Sequence, residues 1–236
     1  MSTCSVTSRA TEFRIALVVF GLLAVLFIAF PQLDLAASGL FYQGDGKWLL
    51  SRDSVWLVLP YWGLPRVAQA LLVTLIALLL LSFWKRFPKL KARRAAIGFL
   101  LAGGLLGPVL LVDATLKEHS GRTRPVNTVN FGSTKQFTPA FIPADQCQKN
   151  CSFVSGHVAT ASFIMAFGWL GAPAVRRRWL LASIAFGGLF ALVRMVPGGH
   201  FLSDTIFAWF ATYFSLWVTE WLFRRFGWLS DEARPA

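Results

Sequence analysis

Three short polar clusters interrupt an otherwise apolar chain, and their residue types are those needed to grip a phosphate and move it. The first runs from Lys117 to Pro125 and carries Lys117, Arg122 and Arg124. The second is Ser155-Gly156-His157, and the third joins Arg194 to His200 and Asp204. A doubly charged phosphate takes point charge from lysine and paired, planar donors from arginine. Lys117 and Arg124 are seven apart, two helical turns, and share a face if a helix continues there. Serine and glycine at a helix start leave backbone N–H groups facing an anion. His157 titrates near neutrality, as proton transfer requires. His200 and Asp204 are spaced i, i+4, so a carboxylate bound to one imidazole nitrogen would leave the other as nucleophile or ligand.

Each cluster alone also has a plainer reading. The basic residues can be interfacial cations snorkelling to lipid headgroups. Ser155-Gly156-His157 can be a capping serine, a turn glycine and an interfacial histidine. His200 with Asp204 can satisfy a helix end. Ionisable groups beside membrane spans are nevertheless rare and mark functional sites.

The elements that must position these groups are read from hydropathy. The chain has 236 residues, 56% hydrophobic and only 14% charged, with ten tryptophans, where a soluble domain carries roughly a quarter charged residues. Apolar blocks at about 13–30, 65–84, 95–115, 154–172, 179–196 and 202–223 are each near the ~20 residues that cross a bilayer. The expectation is an all-α, six-span helical bundle, a single integral membrane domain over 1–236. Residues 54–64, with Trp56, Tyr61 and Trp62 around Pro60, read as an interfacial stretch before the second span. Outer segments at about 31–54 and 117–153 lie between spans, and the short inner loops predict antiparallel neighbours.

The net charge of +12 reads as topology, not nucleic-acid affinity. Arg9, Arg14, Lys85, Arg86, Lys89, Lys91, Arg93, Arg94, Arg176, Arg177, Arg178, Arg224, Arg225 and Arg234 all fall on one side of the six-span arrangement. That side is cytoplasmic by the positive-inside rule, with both termini and Cys4 inside. The three polar clusters land outside. The first apolar segment is longer than a usual signal-peptide core and lacks a clear small-x-small site, so a retained helix is expected. Cys147 and Cys151 sit in the second outer segment, where an oxidising compartment permits a disulfide or leaves two free thiols. Two thiols fall short of the four ligands of a closed zinc site.

Written as patterns, the chain has K-x6-RP, then SGH, then R-x5-H-x3-D, in that order. This resembles the type 2 phosphatidic acid phosphatase (PAP2) superfamily, which includes vanadium haloperoxidases of similar site architecture. Val154 stands where that family usually has proline, and Val193 where it usually has serine. The resemblance implies a phosphatase needing no cofactor and no metal, its site facing away from the cytoplasm. By it, His200 attacks phosphorus with Asp204 orienting it. His157 protonates the leaving oxygen and then activates water. Lys117, Arg124, Arg194, Ser155 and Gly156 hold the phosphoryl oxygens. His119 fits no motif position and reads as a loop or substrate-contact residue.

The implied partner is a phosphorylated membrane lipid in the bilayer of a bacterial inner membrane. The segments from Phe30 to Tyr42 and from Asn150 to His157 look like the lipid A phosphatase branch. Undecaprenyl diphosphate and phosphatidylglycerophosphate are the alternatives. Arg122, Lys135 and Lys149 could meet a second phosphate or stand as solvated loop charges. A lipid phosphotransferase, a non-catalytic lipid-binding protein and a metal-dependent hydrolase stay open as other classes.

Overall fold

The computed structural model describes residues 8–229; Cys4 and Arg234, expected on the cytoplasmic side, lie outside these residues. The chain is mostly helical. Helix α1 spans Arg9–Ala29 and the short α2 spans Gln32–Gly39. A hairpin follows, β1 Tyr42–Gly44 and β2 Lys47–Trp48. Helix α3 is Val55–Leu81 and α4 is Pro88–Ala92. Helix α5 runs Arg94–His119, its Leu105–Leu116 part wound as a π-helix. After an irregular segment, α6 covers 156–169 with a 3-10 turn at Phe163–Met165. Helices α7, Pro173–Met195, and α8, Leu202–Arg225, complete the bundle.

Among the described residues four helices are long and apolar enough to cross a membrane: α1, α3, α5 and α7. Of the six expected spans, four meet both conditions of length and composition. Helix α6 is short for a ~30 Å hydrocarbon core at 1.5 Å per residue. Helix α8 has the length but carries Ser203, Asp204, Thr205, Thr212, Ser215, Thr219 and Glu220, all buried. Thr205, Ser215 and Thr219 bond carbonyls of α8 itself, while Ser203, Asp204 and Glu220 pair with other segments, so the helix need not be apolar. Helices α1 and α3 show the reverse, with rows of exposed Leu, Val and Ile, a surface suited to lipid.

The interfacial stretch expected at 54–64 is instead the first part of α3, which passes through Pro60 and Pro65. At 27 residues the helix is about 40 Å long, so it exceeds the apolar core and must tilt or project. A proline inside a helix survives where another group takes up the freed carbonyl. His157 does so for Tyr61, at 2.8 Å.

Helix α8 is the centre of the bundle. It runs antiparallel to α1 along a seam of aromatic pairs, Phe13–Trp217, Phe20–Phe210 and Phe27–Phe207. Helix α5 closes on its other side at two glycines. A Cβ at Gly103 would lie 2.7 Å from the Leu216 side chain, and one at Gly107 2.4 Å from Ser215 Oγ. Each end of the bundle carries a polar lock. At the first, Glu220 holds Arg9, Arg224 and Trp169, while Glu12 holds Arg176 and Tyr213. At the other end lie the groups singled out in the sequence.

Candidate active site

Sequence clusters two and three meet through main chain. Ser155 N donates to Asp204 O at 3.0 Å, which places the start of α6 against the start of α8. Ser155 stands at the N-cap position of α6, yet its hydroxyl makes no capping bond. The side chain is fully buried and its Oγ lacks a partner. That removes the capping-serine reading, because a buried hydroxyl left unpaired costs stability unless a ligand completes it.

His200 is 2% exposed. Its Nδ1 donates to the Ser152 carbonyl at 2.8 Å, so Nε2 carries the lone pair in the neutral ring. The expected direct bond to Asp204 is not formed; the carboxylate stands 3.6 Å from Nδ1. Asp204 acts one step removed. It accepts from Ser152 Oγ at 2.5 Å and from Phe201 N at 2.8 Å, tying Ser152 and the entry of α8 together. Burial pushes His200 down to about 3, with the positive field of Arg194 and Arg124 adding to the effect. The ring is therefore neutral at physiological pH.

Arg194, in the last turn of α7, is 3% exposed. Its guanidinium stacks 4.4 Å from the Tyr61 ring centroid, and Gly199 backs it so closely that a Cβ there would lie 3.1 Å from Nη2. Nε and Nη1 are buried without partners. A buried guanidinium with two open donors fits an oxyanion. Arg124 is anchored by Nη2 to Asn150 O at 2.9 Å. With Arg194, Tyr61 and Gly199 it lines a cleft of about 490 Å³, roofed by Trp48, Lys47 and Arg52 from the hairpin region. Trp48 seats on Gly198, whose φ of +68° and contact with the indole exclude a side chain.

Lys117 Nζ pairs with Asp113 Oδ1 at 3.1 Å, and a Cβ at Gly156 would fall 2.5 Å from that same oxygen. Gly156 thus faces the Lys117–Asp113 pair of α5 at close range. Cluster one joins the site through this contact and through Arg124. His119 binds Thr115 O at 2.8 Å along its own helix, which gives it a helix-end role. Lys135 and Lys149 line a second, polar cleft of about 520 Å³ on the far side of Arg124. Cys147 and Cys151 form a disulfide, and Cys151 N donates to Lys117 O at 2.8 Å. Val154 and Val193 are buried in one apolar cluster, so neither presents a polar group to the site.

Arg122 departs most from expectation. It is 1% exposed and lines neither of the two clefts. It donates to Asp34 Oδ2 at 2.7 Å, Asp204 Oδ1 at 2.5 Å, Ser203 Oγ at 2.8 Å and Thr138 O at 2.9 Å. Asp34, wholly buried, also accepts from Ser203 N at 2.8 Å and Ser203 Oγ at 2.6 Å. Burial raises the Asp34 carboxyl above its ordinary value, against the pull of Arg122. Asp34, Asp113, Ser152 and Tyr61 are functional neighbours that motif reasoning missed. A charge inside the apolar run 31–35, and an aspartate four before Lys117, were the available signals for two of them.

Among the described residues no group of three or more His, Cys, Asp or Glu is placed to hold a metal ion. The arrangement offers a neutral imidazole with a free nitrogen and a second histidine, with the buried Arg194 and half-buried Arg124 lining a cleft. That set can carry phosphoryl transfer, which is mostly positioning and charge stabilisation.

Comparisons with known proteins agree with this chemistry. The PAP2 superfamily profile matches residues 94–228, which contain all three motifs. The chain is 35% identical over 204 residues to the lipid A 4'-phosphatase of Francisella tularensis subsp. novicida (strain U112), covering 85% of this chain and 90% of that protein. It is 34% identical over 209 residues to the lipid A 4'-phosphatase of Rhizobium etli, covering 82% and 79%. For that of Rhizobium leguminosarum the identity is 31% over 209 residues, covering 82% and 88%. No solved structure gives a significant match. With the family profile spanning more than half its length and relatives of over 30% identity covering most of it, the chain belongs to the PAP2 superfamily and is a phosphoric ester hydrolase.

Proposed function

We propose that the protein hydrolyses the 4'-phosphate of lipid A at the periplasmic face of a bacterial inner membrane. The observation that carries this is the pair of orphaned, buried donors, Arg194 Nε/Nη1 and Ser155 Oγ, in the same site as a neutral His200 with Nε2 free. The relatives' substrate, and their similarity over most of this chain, support lipid A over undecaprenyl diphosphate and phosphatidylglycerophosphate.

In the proposed reaction His200 Nε2 attacks phosphorus as the bond to the lipid oxygen breaks. His157 supplies the proton to that oxygen, and the phosphoryl group rests on His200. Water then attacks phosphorus, giving its proton to His157, and inorganic phosphate leaves. Arg194, Arg124, Lys117 and Ser155 hold the phosphoryl oxygens, and Asp204 keeps His200 in register through Ser152. No step uses a metal. The chain crosses six times, α6 and α8 included, with both termini cytoplasmic. The basic inner loops support this orientation, which puts the cleft end in the periplasm.

Purified protein in detergent should convert lipid A to a product one phosphate lighter by mass spectrometry, with full activity in excess chelator. Rapid acid-free quenching of labelled substrate should trap phosphate on histidine in wild type and not in His200→Gln. Unchanged phosphate release by His200→Gln would overturn the mechanism. Accumulation of undecaprenyl diphosphate in cells lacking the gene would overturn the substrate.

A further inference from the structure

We propose that Pro65 and Tyr61 on α3 form a positioning device for the acid–base histidine. The proline frees the Tyr61 carbonyl, and that carbonyl holds His157 as the Nε2–H tautomer, leaving Nδ1 to exchange protons. This rests on the reading of His157 as proton donor and acceptor.

In a helix the carbonyl of residue 61 accepts from the N–H of residue 65. Here that residue is proline, which has no N–H and whose ring pushes the i−4 carbonyl away from the helix axis. The freed oxygen is met by His157 Nε2 at 2.8 Å. A carbonyl only accepts, so Nε2 carries the proton. The tautomer is then settled, as a carbonyl or carboxylate settles it for other working histidines. When Nδ1 takes the proton of water, the imidazolium keeps its Nε2–H on Tyr61. When it protonates the leaving oxygen, the same bond remains.

Tyr61 also sets the other arm of the site. Its ring lies 5.0 Å from that of His157 and 4.4 Å from Arg194 Cζ. One residue of α3 therefore fixes the proton-transfer group by its backbone and the phosphate-binding guanidinium by its side chain. The charged groups facing His157 are Arg194 from α7, Lys117 from α5 and Arg124 from the outer segment, with Asp113 held on Lys117. None is a carboxylate bonded to His157 itself, so the carbonyl does the orienting. Both Tyr61 and Pro65 lie outside the stretch 94–228 matched by the family profile.

The test is Pro65→Ala, which restores an N–H to draw the Tyr61 carbonyl back into the helix. Removing a proline from a helix interior favours the fold, so thermal stability should hold or rise. With lipid A in detergent micelles kcat should nevertheless fall at least about tenfold with KM little changed, a part of the ~10²–10⁴-fold that a positioned acid–base group contributes. Pro60→Ala is the control. It restores an N–H in the same helix, but the carbonyl affected belongs to Trp56, which is 77% exposed; its kcat should match wild type. Because the chain has three histidines, ¹⁵N-histidine NMR can follow His157 directly. It should report Nε2–H in wild type and mixed tautomers in Pro65→Ala. A Pro65→Ala kcat within about twofold of wild type, an equal loss in Pro60→Ala, or a loss accompanied by a lower thermal midpoint each overturns the device. Inactive wild type would overturn the function reading, while the NMR result would still decide the tautomer.

Discussion

Replacing Arg122 with leucine tests whether the buried cluster beneath His200 is held by charge. The side chain is 1% exposed, and the two carboxylates it joins, Asp34 and Asp204, are wholly buried. Leucine removes one positive charge and four hydrogen bonds and leaves both carboxylates out of water. Breaking a buried pair from one side costs about 3–5 kcal/mol, which for a chain of this size lowers the thermal midpoint by about 6–20 °C. The pH dependence follows from the same groups. Asp34 is already raised by burial against the pull of Arg122, so losing the arginine raises it further. A carboxyl whose folded pKa exceeds its unfolded value of about 3.9 binds more protons folded than unfolded. Its contribution is full below about pH 4 and is lost as pH rises through the raised value. Arg122→Leu should thus lose less stability than wild type as pH is lowered from 7 to 5. Adding Asp34→Asn should stabilise the leucine variant, since one uncompensated carboxylate disappears, while the same change alone should destabilise wild type. Intrinsic tryptophan fluorescence of detergent-purified protein reads all four midpoints. A drop under about 2 °C, or a double variant less stable than Arg122→Leu, would refute the electrostatic account.

Arg194→Lys removes a stacked, planar donor pair; at about 1.5–3 kcal/mol for each charged hydrogen bond, kcat/KM for lipid A should fall at least about 10²-fold in steady-state assays. His200 is held neutral by burial, with a folded pKa of about 3 against about 6.5 unfolded. Its stability contribution is therefore present above about pH 6.5 and is lost as pH falls towards 3. By linkage this amounts to about 2 kcal/mol between pH 6.5 and 5, so the midpoint of His200→Gln should fall less than that of wild type over this interval in fluorescence melts. Joint replacement of Cys147 and Cys151 by serine opens a short closed loop worth about 2 kcal/mol in chain entropy. The midpoint should drop by about 4–8 °C, and reducing agent should match it in wild type and change nothing in the double variant.

Much of the active end could be read from the chain. Lys117, Arg124, Ser155, Gly156, His157, Arg194, His200 and Asp204 were selected by type and spacing, and the fold gathers them at one end of the bundle. Apolar blocks located the helices for the same reason: each depends on a local run of residues. Hydropathy likewise put the blocks at 154–172 and 202–223 on α6 and α8, although α6 is short and α8 carries buried polar groups. It also divided α3 at its prolines, where the helix continues because a distant histidine takes the freed carbonyl.

The sequence by itself determined the chemistry present: which groups titrate, which carry charge, and in what order they follow one another along an apolar, helical chain. Tertiary structure alone decided which atoms meet. Arg122 turns inward to Asp34, 88 residues away, where spacing allowed it to face a substrate. His200 rests on the Ser152 carbonyl, 48 residues away, while the aspartate four residues on holds that serine. His157 rests on Tyr61 O across 96 residues. Both histidines are oriented by main-chain carbonyls, and every residue has one. Such a partner leaves no mark in the order of side chains, and only the packing of one helix against another selects it.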